Sequence, residues 1–171
     1  MAAAMDEPTA PDAPLPPHDV LVVGLGNLLM ADDGVGVHAV RALMDDPPDG
    51  ALLLEVGTAI VSAAHILGGE PRILAVDAIR AGNPPGTVAW FPARTTDSVR
   101  PYISIHEAGI LNALRVLAPD ASPELRIIGI EPQVVDYRMT LSPVVEQALP
   151  QLLAGIRRMV DDWRRERPPA Q

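Results

Sequence analysis

The chain has 171 residues, 48 % of them hydrophobic, and a formal net charge of −9 from 22 acidic and 13 basic side chains. That length supports one domain with one sizeable core, and the acidic balance argues against nucleic acid, whose recognition needs a basic surface. Because cysteine is absent, disulfides, thiolate metal sites and cysteine nucleophiles are all excluded, so nitrogen and oxygen must hold any metal.

Residues 1–17 are mostly alanine and proline with acids, too poor in apolar side chains to offset the entropy of ordering, and are expected to form a disordered leader. They lack the basic start and apolar centre of a signal peptide, and no apolar run approaches the ~20 residues that cross a bilayer. The expected compartment is the cytoplasm, with no membrane partner. The charged, proline-stopped stretch 165–171 reads as a flexible tail, which leaves a single folded domain over 18–164.

The first element is a strand at 19–24, DVLVVG. A glycine turn with Gly24 and Gly26 follows, then Asp32 and Asp33, then a helical pattern over 34–45 carrying Gly34 and Gly36. The glycines read as tight turning and close helix–sheet approach. A second strand, 51–56, leads through Gly57 and Thr58 to a helix at 59–67 that Thr58 can cap. The third strand, 72–77, ends in Asp77, and the fourth lies at 87–91. Only AIRAGNPPG separates these two, whereas a parallel crossover needs about a dozen residues. The fourth strand is therefore expected to run antiparallel.

A third helix is expected at 105–117, with Ser104 and Glu107 spaced as a capping box that holds His106 in the first turn. A fifth strand spans 125–130, and a last helix 143–163 begins with Ser142 as cap and Pro143 at its first position. Pro150 should kink that helix or start a new segment. Strands apolar on both faces alternate with helical patterns, so the expected fold is α/β, a three-layer α/β/α sandwich. Its sheet would have five strands, mostly parallel with one antiparallel.

Ligands of such sheets bind beyond the carboxyl ends of the strands. Here those ends are acidic, at Asp32, Asp33, Glu55, Asp77 and Glu131. A dinucleotide fingerprint would need glycine where Leu29 stands, and aspartates compete with phosphate for a helix N-terminus, so a cation site is preferred over a nucleotide-binding module. One of the paired aspartates can cap the first helix; the second is spare. Asp77 either serves the site or accepts backbone N–H groups from the loop at 80–83. His38 and His65 fall within helices as packed or solvent-facing residues, while His106 can point to the acidic edge. Asp33, Asp77 and His106 would give two oxygens and one nitrogen, a set suited to zinc or nickel.

Six stretches, GLGNLLMADDGVGV (24–37), GTA (57–59), AVDAI (75–79), SIHEAGI (104–110), IGIEP (128–132) and TLSPVVEQALPQL (140–152), resemble in order the hydrogenase maturation proteases. Members of that family remove a C-terminal extension from the large-subunit precursor of nickel–iron hydrogenases. The resemblance implies a twisted five-stranded sheet between helices and metal contact through Asp33, Asp77 and His106. The metal would be the precursor's own nickel, with zinc or cadmium as substitutes, and the protein a cytoplasmic monomer that meets its substrate transiently. The catalytic set is then Asp32, Asp33, Asp77 and His106, with Asp32 as base, and Gly57 and Thr58 line the substrate groove. Relatives often carry aspartate and an extra glycine where Glu55 and Val56 stand. The rival reading is a non-catalytic, nickel-dependent docking or chaperone protein for the same precursor.

Overall fold

The computed structural model describes residues 18–93, 106–120 and 122–166. Among them a mixed sheet is built from β1 (Val20–Leu25), β2 (Ala51–Gly57), β3 (Arg72–Ala78), β4 (Val88–Ala93) and β5 (Glu124–Ile130), in the order β2-β1-β3-β5-β4. Four strands are parallel, and β4 pairs antiparallel with β5, as the short β3–β4 connection requires. The helices are α1 (Val35–Leu43), α2 (Ile60–Leu67), α3 (Glu107–Leu117) and α4 (Pro143–Arg165).

Every residue of β1 and β3 is buried, because helices cover both faces of these central strands. On one face Val20, Val22, Leu74 and Val76 pack with Val35, Val40 and Leu43 of α1 and Leu152, Ile156, Val160 and Trp163 of α4. On the other, Leu21, Val23, Ile73 and Ala75 pack with Ile60 and Leu67 of α2 and Ile110 and Leu114 of α3. This alternation along each strand splits one apolar run between two layers. α1 lies so close to the sheet that a Cβ on Gly36 would overlap the Val76 carbonyl oxygen. Gly26, at φ +108°, turns the chain out of β1 in a conformation L side chains rarely adopt.

Two local expectations are corrected, at Thr58 and Ser142. Thr58 caps nothing: Ala59 occupies the N-cap of α2, with no side-chain cap hydrogen bond. Ser142 is the N-cap residue of α4, with Pro143 at the first turn, but its hydroxyl serves Asp32 instead of its own helix. α4 continues through Pro150 without a new segment; Pro150 is exposed, so the carbonyl it leaves unpaired one turn back faces outward. The leader 1–17, Ser104 of the capping box and the end of the tail, 167–171, lie outside the described residues.

Candidate active site

The strand order reverses between β1 and β3. α1 lies on one face of the sheet and α2 and α3 on the other, so a crevice opens at the carboxyl ends of β1 and β3, the usual ligand position in open α/β sheets. Asp33 comes to it from a short 3₁₀ turn, Ala31–Gly34, between β1 and α1. Asp77 is the last residue but one of β3 and is wholly buried. His106 comes from across the molecule, at the N-cap of α3.

The structure brings Asp77 and His106 into contact. Nδ1 of His106 lies 3.2 Å from each Asp77 oxygen, and Oδ1 of Asp77 also accepts the Ala78 N–H at 2.8 Å. The hydrogen bond to Asp77 raises the His106 pKa above the ordinary 6.5; burial opposes the rise, and the charges of Asp77 and Asp33 add to it. Asp33 is therefore close enough to act on the imidazole through its charge. Its Oδ2 accepts the Asn27 N–H at 2.9 Å. That donor is a backbone group that any residue but proline offers; the Asn27 side chain instead accepts the Leu29 N–H at 3.0 Å, the turn that an asparagine after a glycine favours.

Asp32, the neighbour of Asp33, points elsewhere. Its buried carboxylate accepts four hydrogen bonds, from the N–H groups of Gln133, Val134 and Ser142 at 2.9, 2.8 and 2.6 Å and from the Ser142 hydroxyl at 2.8 Å. Three of these bonds fall on Oδ2 and one on Oδ1, which fixes the carboxylate toward residues 133–142. Neither aspartate caps α1, whose N-cap is Gly34.

The other strand-end acids are also committed. Glu55 forms a two-pronged pair with Arg41, at 2.7 and 2.8 Å, which holds its carboxyl below the usual range. Glu131, not Asp77, accepts the N–H groups of the loop after β3, from Ala81, Gly82 and Asn83 at 2.8, 3.3 and 3.1 Å. Gly57 closes β2 with φ +57° and accepts the Gly26 N–H, and Thr58 beside it is exposed. His65 is exposed, and His38 is half-buried in α1, where burial and Arg41 lower its pKa.

Among the described residues no three His, Asp or Glu side chains form a preformed metal cage. The donor chemistry still fits a borderline divalent ion: an imidazole aligned by a carboxylate, with a second carboxylate nearby, is a common ligand arrangement. A cation entering here would take the place of the proton that Asp77 and His106 share.

The sequence pattern of the hydrogenase maturation proteases matches residues 37–158. The hydrogenase 2 maturation protease of Escherichia coli is 31% identical over 150 residues, which cover 81% of this chain and 90% of that one. Among solved structures, a hydrogenase maturating endopeptidase from E. coli superposes with a TM-score of 0.71 at 27% identity, over 84% of this chain and 92% of that one. A [NiFe] hydrogenase maturation protease from Thermococcus kodakarensis does so with a TM-score of 0.69 at 31% identity, over 82% and 98%. With its crevice, its Asp77–His106 pair and these relatives, the chain belongs to the hydrogenase maturation protease family.

Proposed function

We propose that this endopeptidase removes the C-terminal extension of a nickel–iron hydrogenase large-subunit precursor after nickel has been inserted. The observation that carries the reading is the Asp77–His106 contact at the β1/β3 crevice, with Asp33 acting on it. Asp33, Asp77 and His106 hold the nickel that arrives with the precursor, so that only a loaded precursor is seated with its scissile bond over the crevice. Zinc or cadmium would occupy the same donors. No helix in the described residues is long and apolar enough to cross a membrane; the reading assigns the reaction to the cytoplasm and to a monomer.

Hydrolysis requires a water to lose a proton as it attacks the peptide carbonyl. Asp32 is wholly buried and held by four donors from residues 133–142, so the role of base passes to Asp33, which keeps 7% exposure against 0% for Asp32 and Asp77. The proton that Asp33 takes from the water is the one it returns to the leaving amine, while Asp77 and His106, in contact at 3.2 Å, hold the nickel in place of the proton they share. Gly57 and Thr58, on the β1 side of the crevice, line the approach of the extension.

The test is to incubate the protein with purified precursor, with and without nickel, and read the precursor's mass. Loss of the extension only from nickel-loaded precursor, abolished by His106→Ala, is expected. Tight binding without cleavage would establish the docking protein instead, and full cleavage by His106→Ala would remove the proposed site.

A further inference from the structure

Asp32 lies next to the crevice but takes its hydrogen bonds from far along the chain. Its donors are Gln133 and Val134 at one end of a loop and Ser142 at the other. Both ends of the segment 133–142 are thus pinned to one buried carboxylate, and its middle is laid against the β1–α1 loop. There the Arg138 N–H donates to the Leu29 carbonyl at 2.9 Å and the Ala31 N–H to the Arg138 carbonyl at 2.6 Å, a short parallel bridge.

This bridge carries an unusual surface. Tyr137 is 78% exposed, Met139 67% and Leu29 42%, three large apolar side chains on two hydrogen-bonded segments. Arg138 stands between two of them, and its guanidinium makes no ion pair among the described residues. Arg41, Arg126, Arg157, Arg164 and Arg165 all have acidic partners. Through Gln133 and Val135 the same loop lines a shallow depression of about 560 Å³ at the strand ends, with Arg80 on its far side. The bridge is close to the crevice along the chain: two residues after Ala31 comes Asp33.

We propose that the tip Tyr137–Arg138–Met139, with Leu29, is the docking shelf for the precursor protein. It takes an apolar patch that bears a carboxylate, and Asp32 is its positioning residue. The proposal rests on the reading of the precursor as substrate. Tyr, Met and Arg are the side chains enriched in protein interfaces, and an arginine amid apolar groups fits a partner acid. Against a net charge of −9, Arg138 and Arg80, the latter lining the depression, offer cationic groups to such an acid. Pinning both ends of the loop keeps the shelf at a fixed distance from the reacting groups, which lowers the entropy of docking. A partner seated here would lie with its chain end over the depression and the crevice.

The experiment compares wild type with Tyr137→Ser/Met139→Ser, Arg138→Glu and, as a control at an exposed apolar side chain outside the shelf, Trp90→Ser on the edge strand β4. Each is first checked for an unchanged thermal midpoint. On nickel-loaded precursor the double variant and Arg138→Glu should raise KM about tenfold or more with kcat little changed, and the control should change neither. Binding to the same precursor is measured by interferometry in parallel. If wild type binds precursor without cleaving it, the protease reading fails, and weaker binding by the double variant still supports the shelf. Equal KM and equal affinity across the set would overturn the proposal. So would a wild type that binds no precursor, or a loss of self-association in the double variant with precursor binding intact.

Discussion

At the corner built from residues 131–142, Asp32 and Glu131 spend their carboxylate oxygens on backbone N–H groups, four donors counting one hydroxyl for the first and three for the second. In the crevice between β1 and β3, Asp77 accepts the Ala78 N–H and turns both oxygens to an imidazole. Both corners are acidic, buried and at the same sheet edge. They differ in what the acid faces. A carboxylate surrounded by fixed amides organises a loop, whereas one facing a titratable ring can exchange a proton or a cation. Asp32 and Asp33 put that difference between adjacent residues.

The largest effect should come from separating the crevice pair. His106→Ala and Asp77→Asn should each lower cleavage of nickel-loaded precursor by about 10³-fold or more, read by single-turnover assay. Asp33→Asn removes the base and one nickel donor, so kcat should fall by about 10²-fold and KM should rise with it. At the other corner the loss is one of stability. Asp32→Ala leaves buried donors without an acceptor and should cost about 3 kcal/mol by denaturant titration, since each unmet buried group costs about 1–3 kcal/mol.

A pH measurement sharpens the contrast. His106 should titrate above 6.5 in NMR spectra, and Asp77→Asn should bring its midpoint down. Because the folded pKa is raised, His106 contributes stability that is fully present below 6.5 and is lost as pH rises through the folded value. His38 has the opposite sign: its lowered pKa means that stability falls as pH drops below 6.5. The smallest effect is at Thr58, which caps nothing; Thr58→Ala should change stability by less than about 0.5 kcal/mol, so any loss of activity reports substrate contact.

The fold was readable because its signals are local. The expected strand at 72–77 is observed as Arg72–Ala78, and the nine-residue link AIRAGNPPG dictated the reversed direction of β4. Asp77 and His106 were legible as candidates because one ends an apolar strand and the other stands at a helix start. The role of Asp32 was not. Its donors lie 101 to 110 residues away, and nothing in ADDG distinguishes the acid that will meet them from the one that will not. The loop at 81–83 poses the same difficulty. Its N–H groups could serve either strand-end acid, and the register of β3 against β5 gives them to Glu131. Local propensity likewise misplaced the hydroxyl of Ser142, where a buried carboxylate competed successfully with the helix end.

The most direct measurement is a side-by-side steady-state assay of Asp32→Asn and Asp33→Asn on nickel-loaded precursor, with folding verified for both. The account predicts that kcat collapses for Asp33→Asn, whereas Asp32→Asn keeps most of its kcat and shows a raised KM through a loosened shelf. A collapse of kcat confined to Asp32→Asn, with Asp33→Asn cleaving at the wild-type rate, would contradict it.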